Sequence, residues 1–330
     1  MNLSIKAARL LSLRFLSKLG LKNEEASIIT DSLIAAELAG KSSHGLNSLL
    51  YLQSAISKIN LRPEPIIIKR ESRVTLLIDG RGKTGYVVLI QALNLAFNKI
   101  KQSPIVAVGL SNTGPMTGYV GYYAFQATEK NLIYLGWTNS PGMVAPFRTI
   151  KRLWGTNPIT IGIPTNHEPI IHDMATASLT SGNVMQAIKT RQPLPPGTAI
   201  DDFGNSCTDP LKIWDKGALL PIAGHKGSGL SMINELLAGA LTGSRAGFQV
   251  IGGLGSFFIL IDPAAFRPLA EFKKDVDTFI KELKSVPKMP GVNEVYFPGE
   301  QSAIKRRTHL KTQSFELDGK IYQSIKEFIG

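Results

Sequence analysis

The middle of the chain contains four short polar stretches, which read in order Gly155-Thr156-Asn157-Pro158, Asp173-Met174-Ala175-Thr176, Thr208-Asp209-Pro210 and Lys226-Gly227-Ser228-Gly229-Leu230. Short apolar segments rich in β-branched residues surround them, at residues 105–108, 133–137, 159–164 and 170–174. Glycine, proline and asparagine separate these segments, as is typical of strands joined by turns. No single stretch is specific, but their order and combination predict a sheet-rich region in the middle of the chain.

Helices are predicted on both sides of this region. Apolar residues recur at spacings of three and four between Ser4 and Leu19, and Gly20 suits the end of that helix because glycine readily adopts a positive φ. The first 22 residues are basic and lack acids, as in a transit peptide, but the helical spacing favours a structural helix. A second helix is predicted from Asn23, as its N-cap, to Gly40. Further helices are predicted over residues 46–59, 87–100, 121–130, 230–240 and 265–284, and strands over 74–78 and 255–261.

The composition limits the classes of partner. The 330 residues carry a formal charge of +12, and the apolar runs are far shorter than the roughly 20 residues of a membrane helix, so no membrane partner is predicted. The densest basic run, Lys305-Arg306-Arg307, has no interleaved aromatic residue, which disfavours nucleic-acid binding but leaves it as an alternative. The favoured interpretation is a cationic surface that suits an anionic cofactor and substrate. The single cysteine, Cys207, excludes an intrachain disulfide and is compatible with a reducing compartment.

A glycine-rich loop at residues 223–229 is predicted to precede a helix that begins at Leu230. Lys226 lies between glycines in this loop, and His225 precedes it. Free N–H groups at a helix N-terminus, close approach at glycine and a lysine charge favour the binding of a phosphate or carboxylate. The spacing matches neither a Walker loop nor a Rossmann dinucleotide fingerprint. The alternative is a flexible turn with a solvated lysine and an exposed histidine.

His44 lies in a polar loop just after the second helix. Histidine titrates near neutrality and suits the proton transfer that accompanies carbonyl reduction, although an exposed loop histidine is the alternative. Asp201 is either a turn residue or a carboxylate that orients a histidine. Asp173 follows an apolar strand and is either a ligand-binding carboxylate or the cap of the next turn. The histidines show no metal-ligand spacing, so no metal site is predicted.

The four central stretches, together with Ser43-His44-Gly45, resemble the malate/L-lactate dehydrogenase family of NAD(P)-dependent 2-oxoacid oxidoreductases. Matching segments extend the resemblance over most of the chain: Asp79-Gly80, Gly121-Tyr122-Tyr123, Thr138-Asn139-Ser140, Val144-Ala145-Pro146, Ile261-Asp262-Pro263 and Pro298-Gly299-Glu300. The resemblance implies an α/β fold in which a mostly antiparallel, non-Rossmann NAD(P)-binding sheet domain, residues 105–250, is inserted in a helix-rich α/β domain formed by residues 1–104 and 251–330. It also implies a homodimer, for which a cytoplasmic location is expected.

The same resemblance implies roles for individual residues. His44 is the implied general acid/base, Asp201 a supporting carboxylate, and Ser43 a neighbour of the substrate. The implied binding site for NAD or NADP is lined by Thr138, Asn139, Ser140, Pro146, Asp173, Met174, Thr176 and Lys226, with His225 beside the lysine. Ser48 and Met116 stand at two implied substrate-contact positions where the family usually has an arginine and a histidine. An arginine fork binds a substrate carboxylate through two hydrogen bonds, which a serine cannot do.

These two departures lead to two functional hypotheses. The first is an active reductase that transfers hydride from NAD(P)H to a small 2-oxo acid, a less anionic oxo acid or a cyclic imino acid. The second is a weakly active or non-enzymatic relative that binds the nucleotide as a ligand. The first is favoured because much of the cofactor framework is retained. A basic nucleic-acid-binding protein is a third, unrelated alternative.

Overall fold

The computed structural model of the chain describes residues 1–56, 64–250 and 253–330. The helices are α1 (Ile5–Lys18), α2 (Asn23–Leu38), α3 (Ser48–Ile56), α4 (Gly85–Lys99), α5 (Gly121–Thr128), α6 (Ser181–Thr190), α7 (Pro210–Asp215), α8 (His225–Asn234), α9 (Leu269–Ser285), α10 (Glu300–Thr312) and α11 (Gly319–Ile329). The strands are β1 (Asn2–Ser4), β2 (Ile67–Glu71), β3 (Thr75–Asp79), β4 (Ile105–Thr113), β5 (Ile133–Thr138), β6 (Ile159–Ile163), β7 (Ile170–Met174), β8 (Ala199–Ile200), β9 (Ala218–Leu219), β10 (Leu254–Ile261) and β11 (Ser314–Glu316).

A seven-stranded sheet organises the described residues, in the order β2-β3-β4-β10-β5-β6-β7. Only β3 and β4 pair in parallel, whereas every other neighbouring pair is antiparallel. A Rossmann sheet is mainly parallel and doubly wound. The predicted fold class, α/β with a mostly antiparallel sheet, is therefore confirmed.

Two apolar clusters account for most of the packing. One joins α1, α2, α3 and α11, and its fully buried members include Phe15, Ile29 and Leu49. The other lies between the sheet and helices α4 and α5, and it includes Leu93 and Phe258. In α1 the predicted apolar face packs inward, so the basic first segment forms a structural helix of the N-terminal cluster. Ser4 caps this helix by accepting a hydrogen bond from Ala7 N–H.

The structure corrects several predicted elements. Helix α2 is capped at Lys22 without a side-chain hydrogen bond, so Asn23 is its first residue and not its N-cap. Helix α8 begins at His225 and not at Leu230: Gly227 and Gly229 lie within the helix, and Gly224, with a positive φ of 61°, is its N-cap. After α8 the chain continues as a π-helical segment, Glu235–Ala240. Strand β2 and helices α6 and α7 were not predicted. The predicted end of the third helix, at residue 59, lies outside the described residues.

The sheet receives strands from three parts of the chain. β2 and β3 precede residue 105, and β10, which follows residue 250, lies between β4 and β5. The division into residues 105–250 and residues 1–104 plus 251–330 stays a prediction. Because β4 and β5 are both antiparallel to β10, their carboxyl ends lie at the same edge of the sheet. The loops that follow these two strands are thereby brought together.

Candidate active site

A cleft of about 1210 Å³ lies at this edge of the sheet. Its walls come from the loop between α2 and α3, the loop after β4, and the end of β5. Seven of the predicted site residues line it: Ser43, His44, Ser48, Met116, Thr138, Asn139 and Ser140. One cleft therefore brings together the proposed proton donor, part of the proposed cofactor wall, and Ser48 and Met116, the two substrate-contact positions that differ from the family.

His44 is held at the end of a short 3-10 turn, Ser42–His44. Its Nδ1 lies 3.0 Å from the Ser43 hydroxyl oxygen, so the serine orients the imidazole ring. Burial lowers the pKa of His44 below its ordinary value, and the neighbouring charge of Lys41 lowers it further. The imidazole is accordingly neutral at pH 7, with Nε2 left to exchange a proton with a ligand.

Glu37 is a buried carboxyl group in this cleft that sequence reasoning missed. It lies in the last turn of α2 with 3% of its surface exposed, and its Oε1 accepts a hydrogen bond of 2.7 Å from the backbone N–H of Leu46. Burial raises the pKa of Glu37 to about 7. The sequence contains an indication that Glu37 is buried: it follows Leu33 by four residues and so lies on the apolar face of the helix.

Ser48 and Met116, the two positions that differ from the family, make part of the cleft wall uncharged. Ser48 is 1% exposed, and its side chain faces the buried phenol of Tyr86. Met116 has a positive φ of 66° and packs against the N-terminal apolar cluster. Gly118 follows it where an added Cβ would lie 2.1 Å from the Tyr86 ring, so only glycine fits. Neither position offers a cation to a substrate carboxylate.

The side chain of Asn139 is fully used inside the protein. Its Oδ1 accepts from Gly255 N–H at 2.8 Å, and its Nδ2 donates to the Arg245 carbonyl at 2.8 Å and to Glu235 Oε2 at 3.3 Å. Thr138 shares a hydrogen bond of 3.0 Å with the Ser256 hydroxyl. Asn139 therefore lines the cleft while its side chain ties the end of β5 to the segments packed behind it.

Glu235, which sequence reasoning also missed, connects this wall to the helices. Besides Asn139, it accepts from Asn157 Nδ2 at 2.8 Å and from Gly247 N–H at 3.0 Å. Asn157 Oδ1 in turn accepts from Ser140 N–H at 3.1 Å. Burial raises the pKa of Glu235 above its ordinary value. The π-helical segment begins at this residue, and π-helical turns are frequent at functional sites.

Thr176 also acts from behind the wall. Its hydroxyl donates to the carbonyl oxygens of Thr156 and Asn157, at 3.2 and 3.0 Å, and accepts from the Ser231 hydroxyl at 2.7 Å. Thr176 is fully buried, whereas Thr156 lines the cleft. The predicted cofactor residue thus supports a neighbour that faces the cleft.

Asp173 and Met174 lie at the end of β7, outside this cleft. Asp173 lines a separate pocket of about 350 Å³, together with Lys41, Tyr119 and His172. Its Oδ2 accepts from Gly121 N–H at 3.1 Å, and burial raises its pKa. Met174 pairs with Ile159 in the sheet.

Pro146, His225 and Lys226 gather at the N-terminus of α8, also outside the cleft. Phe147 joins them, because its ring lies 6.0 Å from the His225 ring and its N–H donates to the Ser228 hydroxyl at 3.1 Å. His225 and Lys226 are exposed. The structure therefore divides the predicted cofactor residues between the cleft and its supporting wall, the end of β7, and this cluster at the start of α8.

Asp201 lies in a solvent-exposed turn, and its side chain accepts hydrogen bonds from residues of that turn. Its Oδ1 accepts from the N–H groups of Asn205 and Phe203, at 2.9 and 3.0 Å, and these bonds lower its pKa, the bond from Asn205 most. Asp201 does not line the cleft and has no hydrogen bond to His44 within the described residues. Its role as a supporting carboxylate stays a prediction.

The sequence profile of the malate/L-lactate dehydrogenase family matches residues 3–326, and the chain belongs to this family. It is 34% identical to malate/(S)-sulfolactate dehydrogenase of Methanothermus fervidus, over 99% of this chain and 97% of that protein. It is 37% identical to malate dehydrogenase of Pyrococcus horikoshii, over 90% of this chain and 86% of that protein. The crystal structure of malate dehydrogenase from Entamoeba histolytica superposes with a TM-score of 0.95 at 27% identity, covering 99% of this chain and 97% of that one.

Family membership confirms the predicted class of activity. The chain is an oxidoreductase that uses NAD or NADP and acts on hydroxy or oxo acids. None of the helices in the described part of the chain is long and apolar enough to cross a bilayer. Within the same residues, no group of three or more histidine, cysteine or acidic side chains is placed to hold a metal ion.

Proposed function

We propose that the cleft reduces a small 2-oxo acid, or oxidises the matching 2-hydroxy acid, with His44 as the general acid/base. The observation that supports this most is the oriented, half-buried imidazole of His44 in a cleft that the β5 wall, Thr138 to Ser140, also lines. A volume of about 1210 Å³ accommodates a substrate together with the nicotinamide end of a cofactor. When bound, NAD(P)H supplies the hydride.

His44 would exchange the proton that accompanies hydride transfer. In the oxidation direction its neutral imidazole accepts the hydroxyl proton, and its lowered pKa keeps it neutral at pH 7. In the reduction direction it must first bind a proton, which it then donates to the carbonyl oxygen. The Ser43 hydroxyl holds the ring through Nδ1 and leaves Nε2 for the substrate. Thr138, Ser140 and Thr156 line the wall proposed to hold the nicotinamide.

The neutral environment of Ser48 and Met116 supports a substrate with few anionic groups at that end of the cleft. A 2-oxo acid with one carboxylate is favoured, and a cyclic imino acid is the alternative substrate. The same two residues support a second candidate function, a nucleotide-binding protein with little or no turnover. A cytoplasmic location also belongs to the proposal, and the single cysteine supports it.

A cofactor titration followed by a substrate series tests the proposal. NADH and NADPH fluorescence would be titrated with protein, after which pyruvate, oxaloacetate and a cyclic imino acid would be added in turn. Cofactor binding followed by oxidation supports the reductase and ranks its substrates. Binding with no oxidation by any substrate supports the second candidate. Failure of both nucleotides to bind contradicts both.

We also propose that the protein forms a homodimer through the exposed side of α8 and the π-helical segment. This surface presents Leu230, Ile233, Leu236 and Leu241, each of them at least 39% exposed. An apolar surface of this kind is typical of a protein–protein interface.

Replacing Leu236 with aspartate is expected to shift the protein from dimer to monomer, because it places a charge at the centre of this surface. Leu236 is 49% exposed. Phe266→Asp is the control, since Phe266 is 72% exposed and lies outside this surface. Sedimentation velocity would give the mass of each variant. A monomeric unmodified protein, or a dimer that Leu236→Asp leaves intact, contradicts the proposed interface.

A further inference from the structure

Glu37 lies behind the loop that carries His44, in close contact with its backbone. A Cβ added at Gly45 would lie 2.1 Å from Glu37 Oε1, so the carboxyl occupies space that only glycine leaves free. The bond from Leu46 N–H fixes the same oxygen. Glu37 also lines the cleft beside Ser43 and His44. One oxygen is thus held by the loop backbone, while the side chain forms part of the surface that a substrate meets.

In the part of the chain that the structure describes, no cation pairs with this carboxyl. Among the described residues Glu37 forms no ion pair, and the single hydrogen bond of its side chain is the one from Leu46. At the family's arginine position, the cleft has Ser48. The elements that pack against α2 carry these titratable groups: Lys6, Arg9, Arg14 and Lys18 on α1, Tyr86 and Lys99 on α4 with Lys83 just before it, Tyr122 and Tyr123 on α5, Glu300, Lys305, Arg306, Arg307, His309 and Lys311 on α10, and Lys41 and His44 in the adjoining loop. Lys83 pairs with Glu25, and Arg9 pairs with Asp31.

Building on the proposed function, we propose that Glu37 is a specificity-determining residue of the cleft: as a neutral acid it admits an anionic 2-oxo acid beside His44, and as a carboxylate it repels one. Two like charges in a partly buried site of low effective dielectric repel strongly, and no cation at position 48 offsets this. A neutral acid has no such repulsion and can also donate a hydrogen bond to the substrate.

The protonation of Glu37 changes within the physiological range, because burial raises its pKa to about 7. If only the neutral form admits the anion, the apparent dissociation constant rises as the neutral fraction falls. Between pH 6.5 and 8.5 this predicts a weakening of about 25-fold. The pKa of His44 is lowered from 6.5, so the imidazole is largely neutral across the same interval, and Glu37→Gln, which keeps His44, separates any effect of His44 protonation from that of Glu37.

The test measures binding of oxamate, an anionic analogue of a 2-oxo acid, to the protein–NADH complex by fluorescence, so it needs no turnover. In the unmodified protein, oxamate affinity is expected to fall about 25-fold from pH 6.5 to 8.5. Glu37→Gln keeps a side-chain oxygen that accepts from Leu46 N–H, but it cannot ionise. Its affinity for oxamate is therefore expected to be nearly constant over this pH range, and at pH 8.5 it is expected to exceed that of the unmodified protein. Glu24→Gln, the same change at an exposed position of α2, is expected to behave like the unmodified protein.

The outcomes separate this inference from the proposed function. An equally steep loss of oxamate affinity in Glu37→Gln and in the unmodified protein overturns the role of Glu37, even if the protein turns over 2-oxo acids. A pH dependence that Glu37→Gln removes supports it, even if no substrate is turned over. A pH-independent affinity in the unmodified protein also overturns the inference. Circular dichroism of Glu37→Gln would confirm that the variant is folded.

Discussion

Replacing His44 with glutamine is expected to lower kcat by about 10²–10⁴-fold in both directions, because a positioned general acid/base contributes a factor of this size. Glutamine keeps hydrogen-bonding groups near the Ser43 hydroxyl but cannot exchange a proton at neutral pH. The dissociation constant for NADH is expected to stay close to that of the unmodified protein. Steady-state kinetics on the substrate that the titration ranks first, with NADH fluorescence on the same sample, would measure both quantities.

His167→Gln is the matched control for this substitution. His167 is exposed in the turn between β6 and β7 and does not line the cleft, so its replacement is expected to leave kcat unchanged. Turnover in His44→Gln equal to that of the control would refute the proton-transfer role of His44. If His44→Gln lost both NADH binding and turnover, His44 would instead belong to the cofactor site.

Replacing Glu235 with alanine is expected to lower the free energy of unfolding by about 3 kcal/mol, because buried N–H donors would lose their acceptor. Asn157 Nδ2 and Gly247 N–H lose the acceptor that the carboxylate provides, and Asn139 Nδ2 keeps the Arg245 carbonyl. The loss concerns the wall of the cleft, so cofactor binding is expected to weaken as well. Urea denaturation followed by circular dichroism would measure the stability.

Two further variants serve as comparisons for this measurement of stability. Glu282→Ala removes an exposed glutamate from α9 and is expected to change the unfolding free energy by less than about 0.5 kcal/mol. Glu235→Gln keeps the shape of the side chain but directs an NH₂ group at one of the donors, so its loss is expected to lie between those of the other two variants. If Glu235→Ala unfolds at the same urea concentration as the unmodified protein, the network does not stabilise the wall.

Local patterns predicted much of the secondary structure correctly. The apolar spacing of α1 and α4 and the short β-type segments of β5, β6 and β7 agree with the structure to within a few residues. The predictions failed where local preference was weak. The glycines after His225 suggested a loop, but they form the first turns of α8, where Gly227 is buried against the backbone of Ile222. Strand β2 is exposed along its length, so it lacks the apolar alternation that identifies a strand.

The sequence by itself determined the family and the His44 loop, because these depend on residue types at short and fixed spacings, and the resemblance to the family in turn implied the antiparallel sheet. Only the tertiary structure decided which carboxylates lie beside the cleft. Glu37 meets Leu46 across nine residues and Glu235 meets Asn139 across 96, and burial there, not local sequence, raises the pKa of each glutamate. The tertiary structure also decided that the side chain of Asn139 is engaged inside the protein, that Thr176 supports the wall from behind, and that Asp201 accepts hydrogen bonds within its own turn. A side chain's partners depend on which distant segments fold against it, and no local pattern in one sequence specifies them.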